Sequence, residues 1–301
     1  MKPSPNTGSP LTAIALMLSA MAVLPLIDVA AKFLGQQNMP VVQSVWARMF
    51  FGTAFILPFA LKGRPLRALV PDMPAVHGAR ALLIVASTAF FFLALAYLPI
   101  ADTLAIYFVQ PLVVTVLAPV VLKEHVGPRR WIAVLIGFIG TLIIIRPGFQ
   151  TINPGILLAL AAGTSSAIYM ILTRKVSHKA DPIMTTFYTN VMGAIMTSAA
   201  VGFVWVMPTL EQWGLLLTIA VAALIGHYLV IAAYRFGEAS LLAPLGYAEM
   251  VMAVICGWSF FGDFPDRWTF IGVGILIACA VYISYRERVR GLTPEPSPPQ
   301  P

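Results

Sequence analysis

The chain contains an internal repeat, because residues 97–148 return in related form as residues 234–285. Each copy consists of two long apolar runs joined by a short turn that carries an acidic residue and then an Arg-Trp pair. A repeat of this length indicates a fold built from two copies of one unit, which constrains the fold more than any short motif does. The matching positions are Tyr97 and Tyr234, Glu124 and Asp263, Arg130-Trp131 and Arg267-Trp268, and Gly137 and Gly274.

The composition indicates a protein that lies almost entirely within a membrane. Of the 301 residues, 59% are hydrophobic and only 10% are charged, whereas roughly a quarter of the residues in a soluble domain are charged. We therefore predict an all-α polytopic membrane protein that has the lipid bilayer as a partner. Both cysteines, Cys256 and Cys279, lie in apolar runs, and no spacing of Cys and His residues suggests metal ligands. We expect neither a disulfide framework nor a metal site.

Ten apolar runs approach the length of a transmembrane helix, which takes roughly 20 residues to cross a bilayer. Five runs precede the Pro- and Gly-rich segment 146–154 and five follow it. The predicted spans are residues 11–34, 41–61, 79–98, 103–122, 131–145, 155–172, 184–207, 213–234, 241–261 and 268–285.

The same segment divides the chain into two predicted domains. We expect a first five-helix repeat over residues 11–147 and a second over residues 155–286, with residues 148–154 as the connector. Residues 1–10 form a polar N-terminal leader, and residues 287–301 form a Pro-rich tail with too little apolar content to fold.

Lysine and arginine residues collect on one side of the predicted helices. Of the 19 cations, fifteen fall on the side of both termini, and only Arg146 and Arg267 fall on the other side. Lys32 and Arg48 lie within spans. Because cytoplasmic loops carry the excess of cations, both termini are predicted to be cytoplasmic. The asymmetry also accounts for the net charge of +7 without a nucleic-acid partner.

An odd number of spans in each half has a consequence for the architecture. The second half enters the membrane from the opposite face, so the two five-helix repeats are inverted with respect to each other. Inverted repeats are typical of secondary transporters, which bind their substrate near the midplane between the repeats. The sequence therefore predicts a ten-helix bundle around a central cavity.

Several short segments resemble the EamA-type members of the drug/metabolite transporter superfamily, and the resemblance covers most of the chain. They are residues 28–32 (DVAAK), 46–48 (WAR), 110–112 (QPL) and 261–266 (FGDFPD). The resemblance implies a multi-pass carrier of the bacterial inner membrane for a small metabolite. Such carriers move amino acids, S-adenosylmethionine, riboflavin, metallophores or sugars, in either direction. The details are most similar to the proteobacterial riboflavin-uptake branch.

Three charged residues are predicted to form an intramembrane group. Asp28 and Arg48 lie at similar depths in the first and second spans, and Lys32 follows Asp28 at i+4 on the same helix face. We predict an ion pair between Asp28 and Arg48 with Lys32 as a third member. The group either clamps adjacent helices or forms a charged wall that contacts substrate, because charges inside a membrane are expensive and usually face the bundle interior.

Glu249 is the strongest candidate for substrate binding or coupling. It lies near the midplane in the second copy of the repeat, at about the depth of His227, and its charged form is costly there. It either exchanges a proton, contacts substrate or only links two helices. Tyr107 and Gln110 share a face of the fourth span, and Pro111 leaves the carbonyl of Tyr107 without its helical donor. Tyr247 also joins the candidates, although it points away from Glu249 on a regular helix.

The sequence therefore predicts a secondary transporter that works by alternating access around these residues. No P-loop or other cofactor-binding motif is present, so we expect no cofactor and transport driven by a gradient. An exporter of amino acids or other metabolites is the alternative within the carrier class. A membrane-embedded enzyme is the alternative from another class, although no HExxH or GxSxG motif supports it. A monomer and a homodimer both stay open.

Overall fold

The computed structural model describes residues 10–121, 128–145, 153–177, 181–236, 242, 245–246 and 248–291. Over these residues the chain is helical, and no strand occurs, so the predicted all-α class is confirmed. The helices are α1 (Pro10–Val23), α2 (Pro25–Gln36), α3 (Val41–Leu61), α4 (Pro74–Ala94), α5 (Ile100–Tyr107), α6 (Gln110–Val121), α7 (Pro128–Ile145), α8 (Pro154–Ser177), α9 (Pro182–Val201), α10 (Leu210–Phe236), α11 (Ala248–Phe261) and α12 (Arg267–Gly291). A short 3₁₀ helix, Leu66–Leu69, precedes α4.

The twelve helices of the described residues correspond to the ten predicted spans, because the first and fourth spans are each broken into two helices. Of the ninth span, predicted from residue 241, the structure describes a continuous helix only from Ala248. Pro25 starts α2 directly after the break at Leu24, and Pro111 follows the break that separates α5 from α6. A proline has no N–H to bond the preceding turn, so each break lies where the helical hydrogen-bond ladder loses a donor. Sequence reasoning located these prolines but treated both spans as continuous.

Most predicted helix limits are close to the observed ones, but some differ clearly. The third span begins at Pro74 rather than at residue 79, which places Arg80 in the second turn of the helix rather than at its start. The seventh span ends at Val201 rather than at residue 207. The last helix continues to Gly291, into the segment predicted as a tail. Leader residues 1–9, connector residues 148–152 and tail residues 292–301 lie outside the described residues. Among the described residues, six helical stretches are long and apolar enough to cross a membrane by themselves, and three shorter apolar helices accompany them.

Every second connection between consecutive spans lies at the same end of the bundle. Gln37, just after α2, donates from Nε2 to Oε1 of Glu211 in the first turn of α10 at 2.9 Å. Asn153, just before α8, donates from Nδ2 to the carbonyl of Tyr97, between α4 and α5, at 3.2 Å. We call this end the outer end, after the orientation that the cations predict.

The opposite, or inner, end is joined by a different set of connections. Arg64, in the segment between α3 and α4, lies 2.6 Å from the Asp181 carboxylate, which precedes α9. The hydroxyl of Tyr188 in α9 donates to the carbonyl of Ala68 at 2.5 Å. The chain therefore alternates between two ends, as a series of crossing helices requires.

The helix packing follows a pseudo-two-fold relation between the two repeats. Helix α4 packs on α8, and its counterpart pair is α10 on α1 and α2. Helix α3 packs on α9, α7 on α12, and α5 on α11, and each of these pairs maps onto itself when the repeats are exchanged. Two inverted copies that pack on each other produce this pattern. Nearly all of the extensive contacts therefore join one repeat to the other.

Glycines allow the closest of these approaches. A Cβ atom at Gly272 of α12 would lie 2.6 Å from the carbonyl oxygen of Gly140 of α7, so the two backbones touch. A Cβ atom at Gly226 of α10 would lie 2.5 Å from Leu24, at the break in the first span. Small residues at such crossings are typical of membrane helices, which associate by close packing.

Candidate functional site

Six polar or ionisable side chains converge in the middle of the bundle, each from a different span. Arg48 of α3 interacts electrostatically with Asp28, Tyr107 and Tyr169. Glu249 of α11 interacts with Asp28 and Tyr107, and His227 of α10 interacts with Arg48. We call these residues the central cluster; its members are Asp28, Arg48, Tyr107, Tyr169, His227 and Glu249.

Four members of the central cluster lie deep in the bundle and are still partly accessible. Arg48, Tyr107, His227 and Glu249 are each surrounded by protein, yet each keeps surface that a water molecule can reach. From this combination we infer a cavity that these side chains line. Asp28 is more completely covered, at 8% exposure.

Broken helices bring helix ends to this depth. Asp28 lies in the first turn of α2, and Glu249 lies in the first turn of α11. The N-terminus of a helix carries partial positive charge, which stabilises a nearby carboxylate. Tyr107 ends α5 and Gln110 begins α6, so both flank the other break. Discontinuous helices of this kind form the binding sites of many secondary transporters.

A hydroxyl that the sequence did not single out connects two of the predicted residues. Tyr107 donates its hydroxyl to Oγ of Ser166 at 2.8 Å, and Gln110 donates from Nε2 to the same oxygen at 3.1 Å. Ser166 lies on α8 and is 3% exposed. The three side chains form one polar group on the cavity wall, with contributions from both repeats.

The predicted ion pair between Asp28 and Arg48 is wrong. Arg48 donates from Nη1 to Oγ1 of Thr88 on α4 at 2.7 Å, and Thr88 in turn donates to the carbonyl of Ile84 at 2.8 Å. Among the described residues Arg48 has no carboxylate within ion-pair distance, although it interacts electrostatically with Asp28. The sequence indicated that both residues lie at similar depths, but depth does not determine the direction in which a side chain points.

Lys32 belongs to a different pair. Its Nζ lies 2.5 Å from Oδ2 of Asp263, in the turn between α11 and α12, and 4.8 Å from the centre of the Phe261 ring. The predicted role of Lys32 as a third member of a group with Asp28 is therefore wrong. At i+4 it lies one helical turn, about 6 Å, nearer the outer end than Asp28. At that height its neighbour is the α11–α12 turn.

The remaining candidates are placed only in part. His227 makes a hydrogen bond of 2.7 Å between Nδ1 and the carbonyl of Ala223, one turn earlier on its own helix. Tyr247 lies outside the described residues, so its predicted role stays a prediction. Within the described part of the chain, no three His, Cys, Asp or Glu residues come together as metal ligands would.

A buried arginine supports the cluster from the inner side. Arg80 is 1% exposed and donates from Nε to Oγ1 of Thr173 at 3.0 Å. Its guanidinium carbon lies 5.2 Å from the centre of the Tyr169 ring, and Nη1 contacts the His77 ring at 2.9 Å. The cation therefore packs against the Tyr169 ring from the inner side. In the sequence Arg80 is counted only among the cytoplasmic cations, because it stands at the very start of the predicted span.

Comparisons with known proteins agree with this architecture. A sequence profile described as the EamA-like transporter family matches the chain twice, over residues 11–146 and 153–285. A crystal structure with 18% sequence identity superposes with a TM-score of 0.66, covering 94% of this chain and 99% of that chain. At that identity the superposition shows a shared fold.

Three curated relatives align with this chain over most of their own length. The chain is 29% identical over 262 residues to the S-adenosylmethionine uptake transporter of Rickettsia bellii, which spans 87% of this chain and 89% of that protein. It is 27% identical over 282 residues to a riboflavin transporter of Vibrio cholerae, spanning 92% of this chain and 94% of that protein. It is 27% identical over 249 residues to a pseudopaline exporter of Pseudomonas aeruginosa, spanning 80% of this chain and 86% of that protein.

Proposed function

This chain belongs to the EamA-like transporter family, and we propose that it takes up a small charged metabolite across the bacterial inner membrane by alternating access. It is a multi-pass membrane protein and a transporter, not an enzyme. The observation that supports the proposal is the central cluster, in which both repeats contribute ionisable side chains to one enclosed and accessible wall. Ionisable residues inside a membrane usually mark a substrate or ion pathway.

The charges of the cluster favour a substrate that itself carries both signs. Two acids, Asp28 and Glu249, face one guanidinium, that of Arg48. S-adenosylmethionine, the substrate in the name of the Rickettsia bellii relative, has a carboxylate, an ammonium and a sulfonium. Riboflavin, the substrate in the name of the Vibrio cholerae relative, has no charge near neutral pH. A neutral ligand would leave the charges of the two acids and of Arg48 without an ion-pair partner, which is unfavourable.

Each group of such a substrate has a complementary side chain. The guanidinium of Arg48 suits the carboxylate, because charge-assisted hydrogen bonds to a carboxylate are strong. The carboxylates of Asp28 and Glu249 suit the ammonium and the sulfonium. The rings of Tyr107 and Tyr169 offer faces for stacking with a purine. We therefore place S-adenosylmethionine first and riboflavin second as substrates.

Transport across sealed vesicles tests the proposal. Purified protein in proteoliposomes is expected to take up labelled S-adenosylmethionine, and an excess of unlabelled compound inside is expected to accelerate uptake by counterflow. Uptake of riboflavin but not of S-adenosylmethionine would contradict the charge argument. Uptake of neither compound, nor of any amino acid in the same assay, would contradict the proposed carrier function.

Thermal shift of the detergent-purified protein gives an independent measurement. A ligand that binds the native state raises the melting temperature in proportion to its concentration and affinity. S-adenosylmethionine is expected to raise it, and S-adenosylhomocysteine, which lacks the sulfonium charge, is the matched control. Equal shifts with the two compounds would mean that the carboxylates of the cluster do not recognise the sulfonium.

A further inference from the structure

We propose that the ion pair between Lys32 and Asp263, with the aromatic rings packed around it, is the outer gate of the transport path. The gate separates the central cluster from a cavity at the outer end of the bundle. This inference rests on the proposed carrier function, since a gate has a role only where a substrate passes.

The pair joins the two repeats at one point. Lys32 belongs to α2 of the first repeat, and Asp263 lies in the turn between α11 and α12 of the second. The two residues are 231 positions apart in the chain, and Nζ and Oδ2 are 2.5 Å apart. In alternating access one repeat rocks against the other, so a contact between them on one side of the site has to break in each cycle.

The pair lies on the outer side of the central cluster. Lys32 follows Asp28 by one helical turn, about 6 Å, in the direction of the outer end. Asp263 follows the end of α11 at Phe261, whereas Glu249 lies in the first turn of that helix. Both partners are therefore displaced from the cluster in the same direction.

Aromatic rings fill the space around the pair. The rings of Phe33 and Phe261 have centres 4.7 Å apart, and those of Phe33 and Phe260 have centres 6.1 Å apart at 86°. Lys32 Nζ lies 4.8 Å from the centre of the Phe261 ring. These rings connect α2 with the end of α11 and close the space between them against a polar solute.

A cavity of about 310 Å³ lies at the outer end, and both members of the pair line it. Its other walls are the last turns of α2 and the connection between α4 and α5, with Gly35, Leu95 and Tyr97 among the lining residues. The cavity is partly open, and it meets polar and apolar side chains. A substrate that arrives from the outer side would reach the ion pair before it reached the central cluster.

The backbone around Asp263 is rigid, which makes Asp263 the fixed member of the gate. Gly262 has a φ of +72° and donates its N–H to the carbonyl of Trp258 at 3.0 Å. This left-handed glycine ends α11 and directs Asp263 back along the helix, where its N–H bonds the carbonyl of Gly257 at 3.1 Å. The backbone of Asp263 is thus held in place, and Lys32, with its long flexible side chain, is the member that moves.

Partial exposure makes the pair breakable. The side chain of Lys32 is 11% exposed and that of Asp263 is 30% exposed. Water from the outer cavity can therefore replace each partner when the two separate, so opening does not leave an unhydrated charge. A completely buried pair would be far more expensive to open.

Accessibility of a cysteine in the central cavity tests the gate without any substrate. In a chain with Cys256→Ser and Cys279→Ser, the change His227→Cys places one thiol at an exposed position of the central cluster. A membrane-impermeant maleimide applied to the outer side of intact cells is expected to label this thiol slowly. The change Lys32→Ala is expected to raise the labelling rate at least several-fold, because the outer barrier is weakened.

The inner ion pair offers a matched control. Arg64 and Asp181 also join the two repeats, at 2.6 Å, but at the inner end. Arg64→Ala is expected not to raise the outer labelling rate, because it weakens only the inner end. Exchange of the charges, Lys32→Asp together with Asp263→Lys, is expected to restore slow labelling. Size-exclusion chromatography checks that the Lys32→Ala chain and its Lys32 parent are both folded. Equal outer labelling rates in the two folded proteins would overturn the proposed gate.

A crosslink tests whether the gate must open. The changes Lys32→Cys and Asp263→Cys in the cysteine-free chain allow a bifunctional methanethiosulfonate reagent to join the two thiols across it. Crosslinked protein is expected to lose uptake into vesicles and to recover it on reduction, and full uptake by the crosslinked protein would overturn the proposal. If labelling responds to Lys32→Ala but the reduced protein carries no tested metabolite, the gate stands and the proposed substrate fails.

Discussion

At the scale of single residues, the centre of this bundle combines opposite charges that do not neutralise each other by direct contact. Arg48 is bound to the hydroxyl of Thr88, while Asp28 and Glu249 interact with each other through space. Glu249 also interacts with Tyr107. Such an arrangement leaves the charged groups available to a ligand. A closed ion pair would have used them for structure alone.

Glu249 is the first residue to test for coupling. Glu249→Gln keeps the shape of the side chain and removes its titration, so a carboxyl that carries a proton across loses that capacity. We expect the variant to exchange substrate between equal concentrations but to lose accumulation driven by an imposed pH gradient, by about tenfold or more, since an intramembrane acid of this kind is a default proton carrier. Proteoliposome uptake with and without the gradient measures both quantities.

Two other results would change the role of Glu249. If binding and exchange fall together, the carboxylate contacts a cationic part of the substrate. If gradient-driven accumulation is unchanged, Glu249 has only a structural role and is not part of the transport site.

Thr88 orients the guanidinium of Arg48, and its removal is expected to weaken the site. Thr88→Val replaces the hydroxyl with a methyl group of similar size, so a hydrogen bond to a charged group worth about 1.5–3 kcal/mol is lost. We expect a lower melting temperature and weaker substrate binding in the thermal-shift assay. Thr88→Ser retains the hydroxyl and serves as the control; if Thr88→Val binds substrate as Thr88→Ser does, the orientation of Arg48 does not depend on this contact.

The sequence pointed to the ionisable residues of the site but not to their partners. Glu249 and Arg48 were evident because a charge inside an apolar run is unusual. Ser166 and Thr88 were not, because hydroxyl residues in membrane helices are common and most of them bond their own backbone. Asp263 was not recognised as the partner of Lys32, since the contact between them depends on how two distant spans pack.

At the scale of helices, the two breaks determine where the site lies. The first separates α1 from α2 at Leu24, and the second separates α5 from α6. Each break packs against a glycine of the second repeat, Gly226 in one case and Gly163 in the other. The repeats therefore touch where the helices are least regular, next to the residues of the central cluster.

Gly163 is expected to tolerate no side chain. A Cβ atom there would lie 2.6 Å from the carbonyl oxygen of Tyr107, which is backbone and cannot turn away. We expect Gly163→Ala to destabilise the fold by about 1–3 kcal/mol, the usual range for overpacking. Gly214→Ala is the control, because nothing lies within 4 Å of its Cβ position. Unfolding in mixed detergent micelles compares the two variants, and equal stabilities would contradict the close packing at Gly163.

At the scale of the whole molecule, the number of spans, their limits and the division into two repeats could be predicted because hydrophobic length and repetition are local properties. The pairing of spans could not, since ten apolar helices present similar faces in the sequence. Glycine positions suggested close packing but not which helix each glycine faces; Gly274, for example, has no neighbour within 4 Å of its Cβ position.

The distribution of cations predicts the orientation in the membrane. Fifteen of the 19 cations lie on one side of the predicted spans, so both termini are expected in the cytoplasm. A reporter that is active only in the cytoplasm should be active at either terminus and inactive in the turn at Asn38. An active reporter at Asn38 would reverse the orientation, and the gate would then face the cytoplasm.

The interleaved packing of the repeats also governs how the protein is made. Helices α1 to α4 have their main partners among α8 to α11, which leave the ribosome later. The early helices are therefore inserted into the bilayer before their partners exist, and their glycine and polar surfaces stay uncovered until then. In that state they are open to proteases that degrade unassembled membrane helices. A synthesis that stops after the first repeat leaves a fragment without partners, and cells that make the two halves from separate genes would have to produce them together for either to persist.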